Sequence, residues 1–233
     1  MYFDLDRLTE KSRYKLLVAT VVPRPIALVV TEDKEGRRNA APFSWFNVVS
    51  SEPPIVVLGI AARLADARNH GGTEVKDTLS NIRATGEFVI NLVSQDIAAK
   101  ANITEGDYAP AVDELKKAGL TPLPSAKVKP PRIAESPVAL ECRTFEIVPL
   151  SETSAVVLGR VFAMHIADDC LLDAERHYVD TPKLDLVGRM HAAGWYARTS
   201  DLFHLDKIGA SYYAPIEISS VPTRQPAHSR RDR

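Results

Sequence analysis

The sequence predicts a mainly-β chain, a barrel or sandwich carrying a few short helices. Apolar runs rich in β-branched residues recur at short spacing, at 25–31, 55–61, 87–93, 138–150 and 154–168. Helical patterns are confined to a few short segments between them. Regular strand–helix alternation is absent and no GxGxxG follows a strand, which argues against a Rossmann dinucleotide fold.

Taken in order, PIALVVT (25–31) is the first strand. The polar stretch EDKEGRR, with Gly36, turns it into a hairpin whose returning strand begins near Arg38. That strand runs into NAAPFSWFNVVSSEPP (39–54), where Ser44, Asn47, Ser50 and Ser51 are threaded between apolar residues. IVVLGIA (55–61) is almost continuously apolar, the pattern of a strand buried on both faces. Residues 62–76 read as a loop around Gly71 and Gly72. Asp77 caps a short helix over 78–84, and Gly86 ends it. EFVINLV (87–93) is the next strand. SQDIAAKAN, with Ser94 as N-cap, and AVDELKKAG are short helices. The Pro-rich TPLPSAKVKPPRIAESP travels extended over the surface. Two long strands, 138–150 and 154–168, meet at the SET turn, and 184–205 is mixed in pattern. Residues 1–219 read as a single domain, and 220–233 as a polar, basic, disordered tail.

Bulk composition narrows the function classes. With 233 residues, 45% hydrophobic and 25% charged, the chain can bury a full core without staples. A formal net charge of -1 gives no broad pull toward nucleic acid or anionic lipid. No apolar run approaches the roughly 20 residues that span a bilayer, and the charged start MYFDLDRLTEKSRYKLL has no signal-peptide core. The expectation is a cytoplasmic protein with neither a nucleic-acid nor a membrane partner. Cys142 and Cys170 form no metal or redox spacing, and the 6 histidines make no HExxH pattern, so no metal is expected.

Three polar clusters carry the candidate chemistry. Hydroxyls and amides are cheap to bury only with partners, so Ser44, Asn47, Ser50 and Ser51 either satisfy one another in a bulged connection or line a polar pocket. Lys76, Asp77 and Thr78 open a short helix, and a helix start with a lysine and a hydroxyl suits a phosphate. The competing reading is a capped helix with a solvated lysine. Arg24, set between two prolines, is launched from a stiff segment, toward a ligand or toward an acidic neighbour.

These pieces, in the order PRPIALVVT, NAAPFSWFNVVSSEPP, KDTLSNIRATGEFVINLV, GRV, HI, GR and Y, resemble the flavin reductase-like family over roughly residues 21–196. That family includes flavoredoxins and the reductase components of two-component flavin monooxygenases. The resemblance implies a Greek-key split β-barrel, a homodimer, and FMN at or near the subunit interface. It implies flavin contacts from the segment matching Asn39 to Ser51, with Ser44, Asn47, Ser50 and Ser51 as its polar positions, and phosphate contacts from Lys76, Asp77 and Thr78. Arg24 matches an arginine near the flavin. His165 matches a strand position that can lie close to the ring and is the candidate catalytic residue, donating a hydrogen bond or shaping the nicotinamide site, with a satisfied strand histidine as the alternative; Arg189 and Tyr196 match the late GR…Y pattern, with Arg189 a cofactor-binding candidate. Pro42 departs from the Thr or Ser of many reductases and removes a hydroxyl and an N–H.

The implied activity is an NAD(P)H-dependent flavin reductase passing a hydride to flavin N5, with a flavin-dependent monooxygenase as candidate redox partner. FMN is either prosthetic group or exchangeable substrate. Two readings compete: a flavoredoxin-type FMN electron carrier with a protein partner, and a flavin-free barrel module.

Overall fold

The first departure from the sequence pattern is a helix near the N-terminus. Helix α1, Glu10–Thr20, starts where Thr9 accepts a hydrogen bond from the Ser12 N–H at 3.2 Å. Its apolar residues Tyr14, Leu17, Val18 and Val21 fall at helical spacing, yet only Val18 is buried. The computed structural model describes residues 1–62, 75–109, 112–191, 194–203 and 205. The expected tail at 220–233, the Gly71–Gly72 turn and the N-terminal part of the AVDELKKAG segment lie outside the described residues.

The chain continues through β1 Arg24–Pro25, β2 Ala27–Glu32, β3 Arg38–Phe43, β4 Phe46–Ser51 and β5 Pro54–Ile60. Helix α2, Asp77–Thr85, leads into β6 Glu87–Leu92, followed by α3 Gln95–Ile103 and α4 Glu114–Ala118. Short β7 Pro122–Leu123 and β8 Arg132–Ile133 bracket the Pro-rich segment. The long β9 Val138–Pro149 and β10 Ala155–Ile166 form the expected hairpin. β11 Leu171–Asp173, β12 Tyr178–Val179, β13 Val187–Arg189 and β14 Tyr196–Arg198 are the last strands among the described residues.

A 7-stranded antiparallel sheet runs in the order β3-β2-β6-β9-β10-β5-β4. Its outermost strands, β3 and β4, are consecutive in the chain and joined only by Ser44 and Trp45. Val29, Phe43, Phe46, Leu58, Phe88, Leu140 and Val157, drawn from all these strands, meet in one core. The sheet therefore curls until its edges face each other, a split barrel rather than a sandwich. Leu79 and Ile82 of α2 enter the same core. A second core forms outside the barrel, where Leu28 and Val30 meet Ile97 and Ala101 of α3 and Leu115 of α4. β2 is thus the strand buried on both faces. β5 is not: Val56, Leu58 and Ile60 are buried, whereas Val57 and Gly59 are only partly covered. An apolar run measures hydrophobicity, and the layers that cover each face are set by distant elements.

Two devices tie the edges and helices down. Among the described residues β3 pairs only with β2, and its Ala40 N–H is taken by the Glu114 carboxylate at 3.0 Å. Pro42 is tolerated because it lies on this edge strand. Gly86 ends α2 at φ 72, a left-handed conformation that favours glycine.

Candidate functional site

The start of α2 is locked to β3 from the inside. Asn39 Nδ2 donates to Thr78 Oγ1 at 2.8 Å, and Asn81 Nδ2 donates to Thr31 Oγ1 at 3.0 Å. All four side chains are buried, so these neutral bonds form where water cannot compete. The N-cap of α2 is Lys76, and Asp77, expected as the cap, is the first helical residue, so the helix starts one place earlier than the sequence suggests. An ammonium has no acceptor and cannot cap. Lys76 instead turns its Nζ over the Phe43 ring, 5.2 Å from the centroid, at the end of β3. Lys76, Asp77, Thr78, Asn39 and the residues before Ser44 are thereby brought together.

Ser44 links this junction to Arg24. Arg24 Nε points at Ser44 Oγ at 3.5 Å, while Nη1 donates to the carbonyls of Val18 at 2.6 Å and Val21 at 2.8 Å. Nη2 donates to the Met190 carbonyl. One buried guanidinium thus holds the end of α1, the end of β13 and the β3–β4 turn. Burial is the largest influence on Arg24 and lowers its pKa; Tyr14 raises it and the charge of Arg189 lowers it. Arg24 faces Arg189 across the β1–β13 pair, and Arg189 faces Tyr196 across β13–β14. Arg189 lies 4.8 Å over the Tyr196 ring and donates to its hydroxyl.

Asn47, Ser50 and Ser51 are on β4, which among the described residues pairs only with β5. They make no bonds to one another: Asn47 Oδ1 accepts from the Val48 N–H at 2.8 Å, Asn47 and Ser51 are exposed, and Ser50 is half-buried. Their polar groups face outward from an edge strand, open to a ligand. The aromatics between them divide. Phe43 and Phe46 are core, and Trp45 is 51% exposed. A polar cleft of about 320 Å³ lies between the β2–β3 turn and α2, lined by Asp33, Arg37, Asn39, Asp77 and Asn81 among others.

His165 is not part of this cluster. Its Nε2 meets Glu141 Oε1 at 2.6 Å, and the fully buried Glu141 also accepts from the N–H groups of Ala126 at 2.7 Å and Lys127 at 2.5 Å. The histidine is committed to a carboxylate that pins the Pro-rich segment onto β9, the satisfied strand histidine that the sequence left as the alternative. Burial raises the Glu141 pKa, but the hydrogen bonds from Ala126, His165 and Lys127 outweigh it and hold the carboxyl below its ordinary value. Sequence reading passed over Tyr14 and Asn102, which border the Arg24–Arg189–Tyr196 row. The helical spacing of Tyr14 with Leu17, Val18 and Val21 was the available signal. Among the described residues, no cluster of acidic, histidine or cysteine side chains could hold a metal ion.

Known proteins carry the same architecture. The model of the flavin reductase like domain matches residues 19–182. An uncharacterized protein of Deinococcus radiodurans is 43% identical over 211 residues, 89% of each chain. The crystal structure of 2-nitrobenzoate 2-nitroreductase from Pseudomonas fluorescens is 30% identical, with a TM-score of 0.76 over 93% of this chain and 99% of that one. Nitrilotriacetate monooxygenase component B from Bacillus cereus is 29% identical, with a TM-score of 0.78 over 88% and 98%. The split barrel, the Lys76–Asp77–Thr78 helix start and the segment of Asn39 to Ser51 are therefore parts of a chain that belongs to the flavin reductase-like family.

Proposed function

We propose that the protein binds FMN and acts as an NAD(P)H-dependent flavin reductase. The observation that carries this reading is the meeting of Lys76 with Phe43, beside a β3–β4 segment whose amide and hydroxyl groups face outward. A flavin mononucleotide presents a dianionic phosphate, a polyhydroxyl chain and a planar ring edged with hydrogen-bonding atoms. The residues present fit each part. Lys76 and the N–H groups at the start of α2 suit the phosphate, with Thr78 setting the helix in place. Ser44, Asn47, Ser50 and Ser51 suit the chain and ring edge. Arg24 acts from behind, through Ser44, because carbonyls occupy most of its donors.

When bound, the flavin supplies the hydride chemistry, and the chain supplies binding, orientation and electrostatics. No acid–base pair from the chain is required, in keeping with the buried, inert Cys142 and the engaged His165. The resemblance of the whole chain to a nitroreductase and to a monooxygenase component favours a small molecule or a monooxygenase as final acceptor. We also propose a homodimer, because Trp45, just before β4, and Val48 and Val49 on it are 51%, 64% and 57% exposed along an edge that no described strand pairs.

The test is to incubate the purified protein with FMN, desalt it and record the visible spectrum, then follow NADH and NADPH oxidation. The expected results are flavin binding, by retention or in an equilibrium titration, and nicotinamide oxidation that depends on flavin. Lys76→Ala is expected to weaken FMN by about 1–3 kcal/mol. Bound FMN with negligible nicotinamide oxidation would make the protein an electron carrier instead. Absence of any flavin affinity in the titration would end the reading.

A further inference from the structure

Far from the β3–β4 segment, the outer face of β9 and β10 carries more cations than the described residues neutralise. Arg143 of β9 and Arg160 of β10 are directly opposite across an antiparallel pair, so both project from the same face, an unfavourable place for like charges. Arg143 is partly neutralised: its Nε lies 3.2 Å from Glu87 Oε1, and its Nη2 donates to the Lys127 carbonyl at 2.7 Å. Arg160 is exposed, and among the described residues it donates no hydrogen bond and meets no carboxylate within ion-pair distance. Both guanidinium groups lie 5.1 Å from the centre of the Phe162 ring. A bulge between Val161 and Ala163 leaves Phe162 without a partner on β9, and its side chain is turned out to 42% exposure. Bulges re-aim side chains in this way. The Pro-rich segment adds to the charge. Its exposed Lys127 and Lys129 flank the buried Val128, and the Lys129 N–H donates to Glu87 Oε2 at 3.0 Å. Neither lysine side chain meets a carboxylate among the described residues. The nearby carboxylates are already engaged: Glu87 serves Arg143 and the Lys129 N–H, and the buried Glu141 serves Ala126, Lys127 and His165.

We propose that this face docks an acidic segment of a partner protein, with carboxylates on Arg143 and Arg160 and an apolar side chain on the Phe162 ring. A carboxylate matches the parallel donors of a guanidinium edge, and its charge relieves the repulsion across the Arg143–Arg160 rung. Arginine and exposed aromatic rings are the residue types enriched where proteins meet. The cations extend from Arg160 to the strap that carries Lys127 and Lys129, which suits a run of carboxylates better than a single inorganic anion. The whole chain has a formal net charge of -1, so the attraction belongs to this face and not to the molecule at large. None of these residues belongs to the proposed flavin segment, and docking does not depend on flavin binding.

The experiment titrates the full-length protein into a fluorescently labelled peptide of alternating Glu and Leu at low salt and follows anisotropy. Saturable binding is expected, weakened by added salt and reduced about tenfold or more by Arg160→Glu. Lys15→Glu makes the same charge change on α1 and is expected to stay within about twofold of wild type. Arg160→Glu removes no hydrogen bond of the described residues and places a carboxylate opposite Arg143, so its thermal midpoint is expected to match or exceed that of wild type. Phe162→Ser, at an exposed position, is expected to weaken the Glu–Leu peptide but not a Glu–Ser peptide, and it keeps the test valid if Arg160→Glu does not fold. Absence of saturable binding would overturn the proposal. So would equal losses in Arg160→Glu and Lys15→Glu, which would reduce the effect to net charge. Displacement of the peptide by lower concentrations of inorganic phosphate than of unlabelled peptide would make the face a simple anion site. Tighter binding of polyuridylate than of the peptide, lost in Arg160→Glu, would make it a nucleic-acid surface instead.

Discussion

At the residue scale, the same side-chain types serve opposite ends depending on what they meet. Lys76 and Arg24 are both cations near Ser44, but Lys76 is set on an aromatic face while Arg24 is spent on main-chain carbonyls. Sequence alone could mark both as candidates, because a charge between prolines or at a helix start is visible there. Which donors remain unspent depends on carbonyls contributed by Val18, Val21 and Met190, and the last lies far along the chain. His165 and Glu141 show the same limit, since their meeting requires the register of β9 with β10. This pair carries a pH prediction. The Glu141 carboxyl is held below its ordinary value of 4.5, so its ionised form stabilises the fold. That contribution is complete above the unfolded value and is lost as pH falls through the native value. Glu141→Gln is expected to destabilise the protein at neutral pH and to flatten the fall in stability on the acid side of 4.5, measured by urea unfolding at a series of pH values. An unchanged acid slope would show that other carboxylates set it. His165→Ala should lower stability by about 0.5–3 kcal/mol and leave FMN affinity intact. Loss of flavin binding at unchanged stability would return His165 to the site.

At the element scale, strands and helices after residue 24 were largely legible, because period-two apolar patterns and the Gly36 and Gly86 signals are local. Two features were not. The nearly continuous apolar run of β5 reads as doubly buried, whereas helices α3 and α4 cover β2 instead. α1 was hidden by the charges around its apolar stripe. Packing within the barrel makes one further position critical. A methyl added at Gly159 of β10 would lie 2.4 Å from the Phe88 Cζ, inside a fully buried ring's contact shell. Neither partner can retreat easily: Gly159 is held between β5 and β9, and Phe88 is enclosed by the core. Gly159→Ala is therefore expected to cost about 1–3 kcal/mol. Thermal or denaturant unfolding within error of wild type would mean that the Phe88 ring has room to move.

At the scale of the whole molecule, the barrel's split leaves the candidate site and an exposed apolar patch on neighbouring residues. β4 offers an edge unpaired among the described residues, with Val48, Val49 and the preceding Trp45 outward, next to Asn47, Ser50 and Ser51. A free edge with this composition invites another strand or a second copy. The sequence marks Val48 and Val49 as apolar but not as exposed, because exposure depends on where the barrel fails to close. If a second copy covers this edge, dimer formation and the order of the Ser44–Ser51 segment are one event. Val49 sits at a bulge between Val48 and Ser50, where a side chain does not enter the core. Val49→Asp should therefore leave the monomer folded, yet place a charge in the covered surface. Sedimentation equilibrium is expected to give twice the chain mass for wild type and the single-chain mass for the variant, with weaker FMN binding only in the variant. A wild-type monomer at tens of micromolar, with FMN still bound, would show that one chain holds the flavin alone and that the β4 edge is kept apart by its own twist and bulge.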